Sequence, residues 1–243
     1  MIKLINDDCL NYLTNIKDHS IDMILCDLPY GTTDAKWDNK IDLSLLFKHY
    51  DRIIKENGVV ALFNKEPFGD ELRHATTKNL KFRYNWVWAK PMAVGFLTSH
   101  KMPLRGFENI SIFYKKIPVY NPQFTYAKPY KRINANKSSE LYTTKYTKAT
   151  SVSLDGRRYP RDILYFNNVI KPRYHSTQKP VDLLSYLIRT YTNEGDTILD
   201  NCMGSGSTGV AAVKNNRNFI GIELEGKYYQ IAKQRINKED KDE

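Results

Sequence analysis

The sequence predicts an α/β domain: a doubly wound, mostly parallel sheet that carries a basic insertion. Short apolar runs alternate along the chain with segments whose apolar residues recur at helical spacing. Three chemically suggestive segments, at Asp27, Asp200 and Glu223, each lie at the end of such an apolar run. Ligands of open α/β sheets bind beyond the carboxyl ends of the strands, so we expect these segments to share one site.

The individual elements are predicted from periodicity and from turn residues. Strands are expected at 21–26, 59–63, 84–89, 109–114, 197–200 and 218–223, and helices at 9–16, 43–55, 68–77, 181–192, 210–215 and 227–237. A polar loop is expected at 32–40. Residues 116–171 show no sustained periodicity and predict an insertion with little regular structure.

Composition narrows the class of protein. The 243 residues have ordinary apolar and charged fractions, and no apolar run is long enough to span a bilayer. The beginning of the chain lacks the basic and apolar regions of a secretory signal. Cys9, Cys26 and Cys202 have neither metal-ligand nor disulfide-framework spacing. A cytoplasmic protein with reduced thiols and no metal is expected.

The positive charge is concentrated in one segment. The net charge is +10, and residues 115–180 hold 14 of the 37 bases but only three of the 27 acids. The same segment holds eight of the 17 tyrosines. A nearly neutral body with one basic, aromatic-rich region is typical of a nucleic-acid-binding protein. A solvated surface loop is the alternative, and no amphipathic helix favours a membrane.

A glycine-rich loop at 200–209 lies between a predicted strand and a predicted helix. Its glycines let the backbone approach a ligand, and Glu223, about twenty residues on, is placed to accept ribose hydroxyls. Asp200 would repel a pyrophosphate but suits an ammonium group. The pattern favours a positively charged nucleoside such as S-adenosylmethionine over a dinucleotide. A tight turn with an exposed Glu downstream is the alternative.

The tetrapeptide Asp27-Leu28-Pro29-Tyr30 suits methylation of an exocyclic base amine. Such an amine is a poor nucleophile, because its lone pair is delocalised into the ring. The Asp27 carboxylate and the Leu28 carbonyl would accept its two hydrogens, and Pro29 would fix the carbonyl's direction. Tyr30 would stack on a base flipped out of the duplex. An ordinary strand-terminating turn is the alternative.

Together these motifs resemble the β group of DNA amino-methyltransferases, which make N6-methyladenine or N4-methylcytosine. In that group the catalytic tetrapeptide precedes the cofactor loop, and the target-recognition region lies between them, as the basic insertion does here. Asp8-Cys9-Leu10, the segment 175–184 (HSTQKPVDLL) and Lys36-Trp37-Asp38 also match. The resemblance implies a Rossmann-like methyltransferase fold with one antiparallel hairpin. It also implies a catalytic half at 1–114, a recognition insertion at 115–174 and a cofactor-binding half at 175–243.

The resemblance implies S-adenosylmethionine as cofactor, with Thr177 and Lys179 on its carboxylate. The implied cofactor-binding residues are Asp8, Cys9, Asp27, Thr177, Lys179, Pro180, Asp200, Met203, Gly204, Ser205, Gly206, Glu223 and Leu224. The sequence departs from the family pattern at Leu28, which replaces Pro, at Asn201-Cys202-Met203, and at His175-Ser176, which replaces His-Pro. None of these departures removes a charged group from the chemistry.

Basic and aromatic residues mixed within the insertion indicate contact with double-stranded DNA. The candidates are Lys128, Lys131, Arg132, Arg157, Arg158, Arg161, Lys171 and Arg173. Trp86 and Trp88 are expected in the core or in a pocket wall, and Trp37 is the best placed of the three tryptophans to stack on a base.

Adenine N6 is the predicted target, since cytosine enzymes often carry Ser at the first position of the tetrapeptide. An N4-cytosine enzyme, an RNA- or protein-directed enzyme and a non-catalytic nucleic-acid-binding module are the alternatives. The basic insertion argues against a protein substrate, and the retention of Asp27 and Glu223 argues against a vestigial site. A homodimer and a restriction endonuclease partner are expectations from the resemblance.

Overall fold

The computed structural model describes residues 1–31, 39–133 and 150–241. The chain divides into a main unit, Met1–Asn121 with Asp162–Glu243, and a small unit, Pro122–Arg161. The segment 115–174, expected to form the recognition insertion, therefore contains the small unit, and both of its ends belong to the main unit.

The strands in the described part of the chain have six residues or fewer, apart from three of ten to fourteen residues. They are β1 (Ile2–Asn6), β2 (Ile21–Cys26), β3 (Ile54–Asn64), β4 (Lys81–Val94), β5 (Arg105–Tyr114), β6 (Thr125–Tyr126), β7 (Tyr130–Ile133), β8 (Thr150–Ser153), β9 (Arg157–Arg158), β10 (Ile163–Tyr165), β11 (Thr197–Asp200) and β12 (Asn218–Glu223). In the described part of the chain the main sheet has the order β1-β12-β11-β2-β3-β5-β4-β10. Only β5 runs antiparallel to its neighbours β3 and β4.

Helices cover both faces of this sheet. They are α1 (Cys9–Leu13), α2 (Leu43–Ile53), α3 (Phe68–His74), α4 (Val181–Tyr191), α5 (Ser207–Val213) and α6 (Gly226–Lys241). Apolar residues of α1 to α3 pack on one face and those of α4 to α6 on the other. The doubly wound fold and its antiparallel hairpin are thus confirmed.

Strand β2 contributes side chains to the hydrophobic cores on both faces of the sheet. Met23 and Leu25 belong to the core beneath α4 to α6, whereas Ile24 and Cys26 belong to the core beneath α1 to α3. Successive side chains of a strand point to opposite faces, so a strand covered on both sides must be apolar throughout. This explains why the segment is a continuous apolar run rather than an alternating one.

The parallel strands β2, β11 and β12 bring their carboxyl ends to the same edge of the sheet. Asp27 comes directly after β2, while Asp200 and Glu223 are the last residues of β11 and β12. The shared edge predicted from the sequence is therefore present, and it lies in the main unit.

The sequence predictions failed mainly at short or edge elements. Strand β1 was not predicted, and α2 ends at Ile53, where the chain turns directly into β3 instead of continuing as a helix to residue 55. The insertion is also more regular than expected. Strand β10 pairs with β4, and β6–β9 and β7–β8 form two small antiparallel ladders. Strands of two to four residues are too short to show a periodicity.

Within the described ranges, no helix combines the length and the apolar character needed to cross a membrane.

Candidate catalytic and cofactor site

A cavity of about 760 Å³ opens at the carboxyl edge of the sheet. Residues of the tetrapeptide, of the 175–184 segment and of the glycine-rich loop line it together with Glu223 and Leu224. The three segments expected to share a site therefore do so. All residues lining the cavity belong to the main unit.

Asp27 lines the part of this cavity that is predicted to be catalytic. The Tyr30 hydroxyl donates to Asp27 Oδ1 over 2.9 Å, and the Lys179 ammonium pairs with Asp27 Oδ2. Leu28 is almost fully buried in the core under α1 to α3, which anchors the backbone beside the carboxylate. Burial raises the pKa of Asp27, and the charge of Lys179 acts in the opposite direction.

Lys179 connects Asp27 to a second carboxylate that the sequence did not indicate. Glu108 Oε2 lies 3.4 Å from Lys179 Nζ, and Glu108 Oε1 pairs with the Lys90 ammonium. The cluster of Asp27, Lys179, Glu108 and Lys90 balances two negative charges with two positive ones. Burial acts to lower the pKa of Lys179, but Asp27 and Glu108 outweigh it and the pKa is raised. The ammonium is therefore retained in the site.

Lys90 and Glu108 come from β4 and β5, where Glu108 is paired in register with Trp88. Burial acts to raise the pKa of Glu108, but Lys179 and Lys90 outweigh it and lower the pKa overall. Both strands carry further charged residues, Lys81 and Arg83 in β4 and Arg105 in β5, so no sequence signal marked Lys90 or Glu108 as a buried charge. Such a residue is costly to bury unless an opposite charge meets it.

The other end of the cavity contains the two acids of the predicted cofactor half. Glu223 accepts hydrogen bonds from the backbone N–H of Gly204 (2.8 Å) and of Glu225 (2.9 Å). Asp200 is 3% exposed and accepts from Cys202 N over 3.1 Å. Burial raises the pKa of Asp200 to about 6, since the groups that donate to it, Thr208, Cys26 and the Cys202 N–H, are neutral.

Three of the residues predicted to bind the cofactor have other contacts in the structure. Gly206 and Pro180 do not line the cavity. A Cβ at Gly206 (φ 77°) would lie 2.8 Å from the Ala232 Cβ, so this glycine allows α6 to pack closely. Pro180 is buried directly before α4. Lys179 does line the cavity, but its ammonium is occupied by Asp27 and Glu108 instead of being directed only to a ligand.

Asp8, Cys9 and Thr177 lie where the sequence places them, at the cavity wall. The Asp8 carboxylate caps α1 by accepting from Leu10 N at 2.8 Å, which gives this residue a structural role as well. The Thr177 hydroxyl lies 2.9 Å from His175 Nδ1. Burial, with smaller contributions from Lys179 and Arg173, lowers the pKa of His175 to about 4, so the ring is neutral at pH 7.

The three cysteines are free thiols near the same loop. Cys9 and Cys26 belong to the core under α1 to α3, and Cys202 packs against it. Burial raises the pKa of Cys26 to about 12, which keeps this thiol protonated and unreactive. Among the described residues no group of His, Cys, Asp or Glu is arranged to hold a metal ion.

Most of the residues predicted to bind DNA lie in the small unit. Lys128, Lys131, Arg157 and Arg161 are exposed there, whereas Arg158 is half-buried. Arg158 donates to Ser153 Oγ and to Lys128 O, both over 2.6 Å. It therefore stabilises the small unit. Arg132 lies on β7.

Lys171 and Arg173 belong instead to the main unit, and Arg173 lines the catalytic cavity. Trp86 is in the core and donates to Tyr191 OH over 2.6 Å, while Trp88 forms part of the cavity wall. Both tryptophans are thus core or pocket-wall residues, as predicted. Trp37 and its neighbours Lys36 and Asp38 lie outside the described residues.

Comparison with known proteins gives matches over most of the chain. The family model N6_N4_Mtase, described as DNA methylase, matches residues 21–234. The type II methyltransferase M1.MboII of Moraxella bovis is 27% identical over 93% of this chain and 92% of its own length. The DNA adenine methyltransferase YhdJ of Escherichia coli is 27% identical over 96% of this chain and 82% of its own.

Solved structures agree with these sequence matches. The complex of M1.HpyAVI with SAM has a TM-score of 0.67 and 25% identity, and the match covers 98% of this chain and all of that one. The cytosine-N4-specific PvuII DNA methyltransferase has a TM-score of 0.69 at 14% identity, over 96% of this chain and 86% of that one, which shows a common fold.

Proposed function

The chain belongs to the N6/N4 DNA methylase family, and we propose that it methylates the exocyclic N6 of adenine at specific sites in double-stranded DNA. It is an S-adenosylmethionine-dependent DNA methyltransferase. The observation that carries the proposal is the half-buried Asp27 carboxylate, held between Tyr30 and Lys179 at the wall of the cavity.

The residues around Asp27 suit the activation of an amine. Lys179 favours the ionised form of Asp27, which then accepts one hydrogen of the target amine, and the Leu28 carbonyl accepts the other. This localises the amine lone pair. Tyr30 is fixed by its bond to Asp27 and by Phe68, whose ring centroid lies 4.7 Å from its own, and it provides an aromatic wall for the base. Holding the amine in one orientation lowers the barrier by positioning.

The opposite end of the cavity fits S-adenosylmethionine, which supplies a methyl group on a positively charged sulfur. Asp200 is a buried carboxylate with neutral hydrogen-bond donors, and a cationic ligand would compensate its charge. Glu223 has room among its lone pairs for ribose hydroxyls besides its two backbone N–H bonds. Asp8 and Cys9 at the start of α1 and Leu224 after β12 complete the lining on this side.

Target recognition is assigned to the insertion at 115–174, and within it to the small unit. Lys128, Lys131, Arg157 and Arg161 offer exposed positive charge, which suits phosphate contacts. The restriction partner inferred from the sequence is supported by relatives that are type II methyltransferases, such as M1.MboII. The homodimer is a proposal from family resemblance, and sedimentation velocity tests it.

Adenine is favoured over cytosine by the Asp at the first position of the tetrapeptide. The match to a DNA adenine methyltransferase over 96% of the chain supports the same choice. An N4-cytosine target uses the same arrangement of carboxylate and carbonyl, since both bases present an exocyclic amine in a ring of similar chemistry.

The test is to incubate the protein with S-adenosylmethionine and unmethylated DNA, digest the DNA to nucleosides and identify the product by mass spectrometry. N6-methyladenine supports the proposal, whereas N4-methylcytosine overturns the adenine assignment. Methylation of RNA alone overturns the DNA assignment for this target. Asp27→Ala is expected to abolish transfer while cofactor binding persists, and Asp70→Ala, which removes an exposed carboxylate on α3, is the matched control. Full turnover by Asp27→Ala overturns the mechanism.

A further inference from the structure

The hairpin between β4 and β5 ends in a tip that exposes large apolar side chains. Phe96 is 72% exposed, Leu97 94% and Met102 53%. A single exposed apolar residue is ordinary, but a contiguous group marks an interaction surface. We define the hairpin tip as residues 95–104.

The hairpin tip has a defined backbone. Gly95 has φ 101°, which favours glycine, and a 3-10 turn comes next at Phe96–Thr98. The Thr98 N–H donates to Gly95 O over 3.1 Å, and the Met102 N–H donates to Thr98 O over 3.0 Å. These bonds hold the two most exposed side chains in an ordered turn, so little conformational entropy remains to be lost when a partner covers them.

The hairpin tip is continuous with the catalytic cavity. Val94 and Arg105 are paired across its base, and both line the cavity, as do Met92 and Phe107. Leu97 is three residues after Val94, so their Cα atoms lie within about 11 Å. A partner that covers the hairpin tip therefore lies next to the entrance through which a base reaches Asp27.

The charges around the hairpin tip indicate which kind of partner covers it. Residues 91–106 contain Lys101, Arg105 and His100 but no Asp or Glu. A second copy of the tip would bring like charges together. Duplex DNA combines negative phosphates outside with apolar stacked bases inside, and it is the substrate of the neighbouring cavity. The combination of an apolar end with flanking cations fits DNA better than a protein surface.

We propose that Phe96 and Leu97 enter the base stack beside the target and fill the space it leaves on entering the cavity, with Lys101 and Arg105 on adjacent phosphates. Proteins that open DNA often insert apolar side chains between base steps in this way. The inference rests on the proposed function, since only an enzyme that takes its target out of a duplex needs such a wedge.

The experiment uses a duplex that carries the methylated sequence mapped in product DNA. With 2-aminopurine at the target position, wild-type protein is expected to increase fluorescence, because the base leaves the stack. The double variant Phe96→Ser/Leu97→Ser is expected to lose most of this increase. Its kcat/KM on the paired duplex should fall about 10- to 100-fold, the loss that corresponds to unsupported base opening. Placing the target in a mismatch, which weakens its pairing, should restore the rate to within about threefold of wild type.

Leu45→Ser is the matched control, since Leu45 is an exposed apolar residue on α2, outside the hairpin, the cavity and the recognition insertion, and this variant should behave as wild type. Equal losses on paired and mismatched duplexes, or an unchanged kcat/KM, overturn the wedge. A variant that loses a dimer in sedimentation velocity but still opens the base overturns it in favour of a contact between copies. A wild-type protein that produces neither fluorescence change nor methylated DNA refutes the proposed function instead, so the two failures are distinguishable.

Discussion

Replacing Lys179 by Met removes the buried cation that balances two half-buried carboxylates. Lys179 Nζ pairs with Asp27 and lies 3.4 Å from Glu108 Oε2, and its side chain is only 9% exposed. At an effective dielectric constant of about 20, each such contact is worth about 4 to 5 kcal/mol before the cost of desolvation. Breaking a buried pair costs about 3 to 5 kcal/mol in the free energy of unfolding.

In the Lys179→Met variant, activity should rise with pH while the free energy of unfolding should fall. Without Lys179 the pKa of Asp27, already raised by burial, rises further. The active carboxylate then forms only at higher pH, and a penalty of about 3 kcal/mol corresponds to a loss of about 100-fold at neutral pH. Activity should therefore recover as the pH rises.

The free energy of unfolding of this variant should instead fall as the pH rises. The folded variant keeps a proton on Asp27 over a pH range in which the unfolded chain has already released it. The free energy of unfolding then falls as pH rises from about 4 through the raised pKa of the folded state. Denaturant titrations and single-turnover rates between about pH 5 and 9 measure both profiles.

Two variants separate this mechanism from general damage. Asp27→Asn/Lys179→Met removes both charges, so it should regain much of the lost stability without activity. Lys115→Met breaks a similarly buried pair, with Asp51 at 3.3 Å, outside the cavity; it should lose stability but keep the wild-type pH profile of activity. If the pH–activity profile of Lys179→Met falls at the same acidic pH as that of wild type, the role assigned to this cation is refuted.

Three further predictions concern the cofactor half and the small unit. Asp200→Asn should stabilise the ligand-free protein at neutral pH by up to about 3 kcal/mol. The pKa of Asp200 is raised to about 6, so its ionised form opposes folding above about pH 4. Calorimetry should show that the same variant binds the cofactor more weakly. Glu223→Gln should weaken cofactor binding about 10-fold and leave affinity for DNA unchanged in filter-binding assays; a uniform loss of both would contradict the assignment. Lys131→Ala and Arg161→Ala should each reduce the slope of log affinity for DNA against log salt by about one, whereas unchanged slopes would place the DNA-facing surface elsewhere.

The sequence was sufficient to predict the sheet edge and its three acids. Asp27, Asp200 and Glu223 each lie at the end of an apolar run, and parallel strands bring the residues at their carboxyl ends to one edge. Local patterns cannot show which charges will meet from distant strands. Glu108 and Lys179 are 71 positions apart, and their contact depends on the packing of β5 against the segment before α4.

Short strands and the use of single glycines also could not be predicted from the sequence. Strand β10 has three residues and is defined by its partner β4 rather than by its own pattern. Gly206 was assigned to the cofactor because glycine-rich turns serve both close ligand approach and close helix packing. The position of Ala232 on α6 shows the packing use at Gly206, which the sequence alone could not reveal.

Both ends of the small unit are attached to the frame of the main unit. At the entrance, the Asn121 N–H donates to Thr190 O over 2.7 Å, and the Asn121 side chain donates to Thr192 O over 3.1 Å. At the exit, Asp162 O accepts from the Val87 N–H over 2.7 Å, and β10 begins at the next residue. Between these two attachments the chain is free to vary in length and sequence without moving the strands that carry Asp27, Asp200 and Glu223. If target recognition lies in the small unit, as proposed, exchanging residues 122–161 should change the methylated sequence and leave these three acids in place.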